Sequence, residues 1–351
     1  MTEKKKRDIS IDVIRGIAIA LVVMGHCIQC GSGRAYFNAE SFYDDWCFRV
    51  IYSFHMPLFA WISGYCFFWS MKKGGRQTIG HLLKSLILPM ICWSPIQVLI
   101  NNLIDGKTAS IYSFATAVIR MFFNGYWFLW GIVLCSVLLF LTIKLFNGST
   151  RKVVFALECI ATLFAFRHFT FYQYAFLYPY FVIGYVFHRH ESDAPLKKEN
   201  NVKYVTILWT IIYLILIPLY NKDDFIYVSF LSIVRGPNSM WRQLTIDLYR
   251  YVIGLAGTMM MLYGCRILCN GISNRFKQKV IQLFSLLGTL SLGIYIISGS
   301  MVGILLLLFP ESSPHAGFWI LEFISITLLS SGITLLIQKN HVLKQLLLGG
   351  R

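Results

Sequence analysis

Apolar residues in this chain come in runs of about twenty, the length a helix needs to cross a hydrocarbon core. Residues 82–104, 126–146, 204–220 and 318–338 are the clearest cases, and short polar segments separate them. No soluble fold calls for so many all-round apolar helices. The pattern predicts an all-α, polytopic integral membrane protein of about ten transmembrane helices. The spans fall at 9–30, 47–70, 82–104, 126–146, 152–167, 171–188, 204–220, 247–266, 281–308 and 317–338. The stretch 111–124, interrupted by Arg120, reads as an interfacial or re-entrant helix. The segment 221–246 is the longest one expected outside the membrane.

Composition agrees, with 56% of the 351 residues hydrophobic and only 14% charged, against about a quarter charged in soluble proteins. The formal charge of +16 would suit a nucleic-acid partner only if it gathered on one face. Instead Lys and Arg collect in every second loop: at 4–7, 72–76, 144–152, 189–203, 266–279 and after 339. That alternation places those loops, and both termini, on the cytoplasmic side of a cell membrane, with a bacterial inner membrane as the expected site. The first apolar run is too long for a cleaved leader, and no small-residue cleavage site follows before Cys30, so it reads as the first span. The nine cysteines lie mostly in apolar runs as small hydrophobes; the positions of Cys27 and Cys30 leave a disulfide open. A single membrane domain, 1–351, is expected, with 1–8 and 339–351 as cytoplasmic ends.

Ionisable side chains inside spans are costly, so each marks a candidate site. The first span carries Asp8, Asp12, Arg15 and His26. Arg15 and His26 are eleven residues apart, three turns plus about 20°, so they share one face roughly 16 Å apart along the axis. Asp12, three residues before Arg15, sits beside the guanidinium. The second span supplies His55 in Phe54-His55-Met56-Pro57, in the same half of the bilayer as His26. Pro57 there releases backbone groups, which only protein or a water-lined cavity tolerates. His81 and Lys84 form a basic edge to the third span, suited to lipid headgroups or to a donor's phosphates. Asp247 and Arg250 read as a local ion pair; Glu158 and Glu322 have no nameable partner. Structural alternatives stand beside these readings: a satisfied ion pair for Asp12–Arg15, and a packing histidine at a proline kink for His55.

The run from Arg7 through Asp12-Val13-Ile14-Arg15-Gly16 to Met24-Gly25-His26 resembles the arginine–histidine motif of acyltransferase family 3, membrane-embedded O-acyltransferases. Phe54-His55-Met56-Pro57-Leu58-Phe59 with Ser63-Gly64-Tyr65 is similar to the second-helix motif of its fucose-acetylase-like branch. His81 and Lys84 stand where that branch has paired arginines, which weakens bidentate phosphate recognition. Tyr126-Trp127-Phe128-Leu129 resembles the family's aromatic motif, and Leu290-Ser291-Leu292-Gly293-Ile294-Tyr295 its late-helix motif. The late histidine often found there is Ser298 in this chain.

The resemblance implies O-acyl transfer, acetyl first, from cytoplasmic acetyl-CoA to a hydroxyl of a glycan or lipid-linked sugar, with no metal and no nucleic acid. Asp12, Arg15, His81, Lys84 and Trp127 are expected on the donor side. His26 is the expected general base, and His55 its orienting partner or a donor to the oxyanion. Ser63 and Tyr295 are expected to serve the acceptor side or the framework. Cys27 neighbours His26 but points about 100° away, which disfavours an acyl-cysteine. The alternative is a transporter or flippase of glycans or small solutes, for which many spans and intramembrane charges are equally natural.

Overall fold

The computed structural model describes residues 8–31, 33–104, 106, 110–145, 171–193, 199–230, 238–270, 274–308 and 318–350, and these are predominantly helical with no strand among them. The long helices are α1 (Ile9–Cys30), α2 (Trp46–Lys72), α3 (Gly75–Ile104), α4 (Trp127–Leu145) and α5 (Phe171–Asp193). They are followed by α6 (Glu199–Leu216), α7 (Met240–Cys269), α8 (Arg275–Leu308), α9 (Phe318–Lys339) and the short α10 (His341–Leu348). A helix satisfies its own backbone, which lipid demands. Side-chain hydroxyls do the same: Ser94, Ser136 and Thr334 each donate to the carbonyl one turn back.

Among the described residues, seven helices are long and apolar enough to cross a membrane: α1, α3, α4, the 202–219 segment that includes most of α6, α7, the 275–304 part of α8, and α9. Ten are therefore not shown. The span expected at 152–167, with Glu158, lies outside the described residues. Those expected at 47–70 and 171–188 are helical, as α2 and α5, yet fall short in apolar character. The reason is their place: protein rather than lipid surrounds them, so they carry His55, Ser53, Gln173 and His188 in the interior. The lipid-facing helices show the opposite, with Ile207, Leu208, Ile211 and Ile215 exposed on α6, and Leu321, Leu328 and Leu336 on α9. Helix α7 starts at Met240, which shortens the segment expected at 221–246.

Two crossings draw the bundle together. Helix α1 lies against α8, where a Cβ on Gly16 would overlap the Phe284 carbonyl and one on Gly288 the Asp12 carbonyl. Helix α2 lies against α5, where Gly64 meets the Phe181 carbonyl and Gly184 the Trp61 carbonyl. Paired glycines let backbones approach where hydrophobicity gives no drive between helices. We call the end at which α1 starts proximal and the other distal. The N-cap Asp8 marks the proximal end, and so does α10, whose C-terminal Gly349, at φ +62, abuts Ser85 in α3. Trp93 Nε1 donates to the Leu347 carbonyl at 2.9 Å, fixing α10 against α3. Both described ends of the chain thus lie at one end of the bundle. Cys27 and Cys30 are free buried thiols, so no disulfide joins them.

Candidate active site

A cavity of about 170 Å³ opens between α1, α2, α3, α4 and α8. Its polar wall is Arg15, Ser63, Cys66, Ser70, His81, Ser85, Ser136, Ser291 and Tyr295, and its distal end is apolar, formed by Val22, Met56, Phe59 and Phe128. Arg15 Nη2 donates to Cys66 Sγ at 3.1 Å, while Nη1 is 3.9 Å from the Asp12 carboxylate. Asp12 is buried and the guanidinium partly open, so the charge faces the cavity with its partner behind it.

The α1 wall, Arg15, Ile19 and Val22, continues at helical spacing to His26. His26 is half-buried and His55 only 4% exposed. The two imidazoles lie near enough to interact electrostatically across α1 and α2, and Gln29 is within hydrogen-bonding reach of His26. His55 Nδ1 is 2.8 Å from the Ile51 carbonyl. A carbonyl only accepts, so Nδ1 carries a proton, and it is the neutral form of the ring that presents a lone pair at Nε2. The Tyr52 ring stands edge-on to His55 at 4.6 Å, and its hydroxyl donates to Gln29 Oε1 at 3.4 Å. Neither histidine lines the cavity; they sit beyond its distal end, one turn past Val22 and beside Met56.

The other expected residues divide. Asp12, Arg15, His81, Ser63 and Tyr295 gather in or behind this cavity. Lys84 does not. It is exposed: His81, Leu82, Ser85 and Leu86 face the cavity at ordinary helical spacing, and Lys84 falls off that face. Trp127 does not either. It lines a second, distal pocket of about 20 Å³ with Tyr52, Ser53, Tyr227 and Arg250, its ring edge-on to Tyr227 at 6.1 Å. Ser298 is buried one turn past Tyr295, and its hydroxyl donates back to the Tyr295 carbonyl at 3.3 Å. Cys27 is fully buried among α1, α8 and α9, away from the cavity.

Sequence reasoning missed three supports. Gln97, a lone amide in an apolar span, donates to the Ile296 carbonyl at 3.0 Å and accepts from Tyr126 at 2.9 Å, tying α3 and the residue that leads into α4 to α8 beside Tyr295. Glu191 accepts from Tyr65 at 3.1 Å and pairs with Arg266 at 2.6 Å at the proximal end. Arg250, 2% exposed, does pair with Asp247 at 2.9 Å, but it also donates to the Asp224 and Phe230 carbonyls and to Ser229 Oγ. It thereby holds segment 223–230 as a roof over the distal pocket. Glu322 is buried against Gly31, and neither carboxylate oxygen has a hydrogen-bond partner among the described residues.

An arginine-lined cavity leading to paired imidazoles inside an apolar bundle suits group transfer from an anionic donor. Comparison with known proteins decides the class: the family described as "Acyltransferase domain" matches residues 8–339. The chain belongs to acyltransferase family 3. It is similar to the nodulation protein NolL of Sinorhizobium fredii, 27% identical over 302 residues, covering 84% of this chain and 78% of that one. The nodulation protein NolL of Mesorhizobium japonicum is 28% identical over 204 residues, covering 56% of this chain and 50% of the relative. No solved structure shows significant similarity. The protein is thus an integral membrane acyltransferase, and the family sets the transporter alternative aside.

Proposed function

We propose that this acyltransferase moves a short acyl group, acetyl first, from cytoplasmic acyl-CoA to a hydroxyl of a glycan or lipid-linked sugar beyond the membrane. The observation that carries this reading is one continuous face of α2. Tyr52, Ser53, Met56, Phe59, Ser63, Cys66 and Ser70 recur at three- and four-residue spacing and line first the distal pocket, then the cavity. From Tyr52 to Ser70 that face covers roughly 27 Å, close to the thickness of a hydrocarbon core. Such a face suits a donor entering from one side and an acceptor from the other. The basic proximal loops make the proximal side cytoplasmic.

Arg15 attracts the anionic donor, with His81 at the proximal mouth, while the acyl-bearing arm occupies the apolar distal end. Arg15 is held ready by Asp12 and Cys66, so little ordering is left to the moment of binding. His26 takes the proton of the acceptor hydroxyl as its oxygen attacks the thioester carbonyl. The carbon–sulfur bond then breaks, and the proton passes to the departing CoA thiolate, so no net proton is consumed. His55, with Nδ1–H committed to Ile51, fits better as an acceptor that orients His26 than as a donor to the oxyanion. Tyr295, at the cavity wall, has a hydroxyl available to that oxygen.

Purified protein in sealed vesicles, supplied with radiolabelled acetyl-CoA and a panel of oligosaccharides, tests the reading. Label should reach glycan hydroxyls as alkali-labile ester, and His26→Ala should abolish it. No transfer to any member of a broad panel, from protein shown to bind acetyl-CoA, would refute the glycan acceptor.

A further inference from the structure

Among the described residues, Met56 alone borders both the 170 Å³ cavity and the 20 Å³ distal pocket. It is 9% exposed, lies between His55 and Pro57, and stands where the α2 face passes from the distal pocket to the cavity. With Val22, Phe59 and Phe128 it makes up the apolar end of the cavity, but those three face only the cavity. Tyr52 and Ser53, one turn away, face only the distal pocket.

We propose that Met56 is the partition between the donor and acceptor chambers, and that it sets the length of the acyl chain the enzyme accepts. The inference rests on the donor reading above. An acyl group rides at the tip of its carrier arm, so the chain ends where the cavity ends. The thioether therefore meets whatever extends past the first carbons. The distal pocket, at about 20 Å³, has room for one hydroxyl-sized group, which fits an acceptor hydroxyl and nothing larger. Both reactants then approach from opposite sides of a single side chain. Methionine suits that position: it is unbranched and flexible, so it fills the gap at rest and swings aside without moving the backbone. A branched residue at the Pro57 kink would have fewer ways to do so. At rest the partition also keeps distal water away from the thioester.

The test is binding of free coenzyme A, acetyl-CoA and butyryl-CoA to purified protein by isothermal titration, with each acyl-CoA referred to free coenzyme A. Discrimination of one methylene by a snug apolar wall is about 10-fold or more, so wild type should bind butyryl-CoA at least that much more weakly than acetyl-CoA. Met56→Ala should bring the two within about 3-fold. Met56→Phe should weaken acetyl-CoA relative to free coenzyme A. Met56→Val reads the same ratio should the alanine variant fail to fold. An unchanged butyryl-to-acetyl ratio in a shortened variant that still binds free coenzyme A overturns the partition and leaves the donor site standing. Failure of folded wild type to bind free coenzyme A or acetyl-CoA overturns the donor reading and the partition with it.

Discussion

Arg15 and Cys66 touch, with the guanidinium 3.1 Å from the thiol, and this contact marks the register of α1 against α2. The helices run antiparallel. Eleven residues on from Arg15 is His26, and eleven residues back from Cys66 is His55. Both steps cover roughly 16 Å and three turns, so the side chains that begin level at the cavity end level beyond it. A cation and a pair of imidazoles are therefore set at a fixed distance by helix geometry alone. The glycine crossings that clamp α1 to α8 and α2 to α5 hold both helices in place.

If that register places the base and its partner, His26→Gln should lower turnover by about 10³-fold, within the range for losing a general base. His55→Gln should lower it less, about 10²-fold, because it removes orientation rather than the proton acceptor. Coenzyme A affinity should hold in both. Full turnover in folded His26→Gln would end the general-base assignment.

The sequence showed this much of the site because an eleven-residue step on one helix is periodic and local, as is the Asp12–Arg15 pair. It could not show Lys84 leaving the cavity, since which face of α3 meets the bundle is decided by packing; His81, Leu82, Ser85 and Leu86 take that face, and Lys84 lies off it. Nor could it show Trp127 on the distal pocket, because that depends on how α4 enters the bundle beside Tyr227. Helices α2 and α5 were legible as helices from length, while the apolar character in which they fall short of a membrane span follows from burial by neighbours. Gln97 was visible as a polar residue in an apolar run, but its partners lie 29 and 199 positions away.

Donor binding should separate Arg15 from Lys84. Arg15→Gln removes a charged contact worth about 1.5–3 kcal/mol, so coenzyme A affinity should fall roughly 10- to 100-fold by isothermal titration. Asp12→Asn should be milder, since it removes only the orienting carboxylate. Lys84→Arg should change affinity less than about 2-fold, because an exposed charge off the cavity contributes little. A large gain from Lys84→Arg would show that the turn carrying it closes over the donor.

Packing at the glycine crossings should be unforgiving. Gly16→Ala drives a methyl into the Phe284 carbonyl, and overpacking of that kind costs about 1–3 kcal/mol. Gly303→Ala, on exposed α8 surface with nothing within 4 Å of the new Cβ, should be neutral or slightly stabilising. Thermal unfolding in detergent distinguishes them, and equal midpoints would mean that α1 and α8 are looser than the structure has them.

The roof of the distal pocket should respond to pH through Asp224. Burial raises its carboxyl above the usual value, opposed by the Asn221 N–H, which donates to it at 2.8 Å. A raised folded-state value means that the folded segment holds the proton more readily than the unfolded one. Its contribution is complete below the unfolded value and is lost as pH rises through the folded one. Amide protection in 221–230, measured by hydrogen exchange and corrected for intrinsic rate, should therefore increase on mild acidification. Asp224→Asn keeps the acceptor for Asn221 while removing the titration, so protection should become flat with pH. Arg250→Met should loosen the same segment at every pH. It strips the donors to Asp224, Ser229 and Phe230 and leaves Asp247 without its cation, a loss of about 3–5 kcal/mol for a buried pair. If pH sensitivity persists in Asp224→Asn, another group governs the roof.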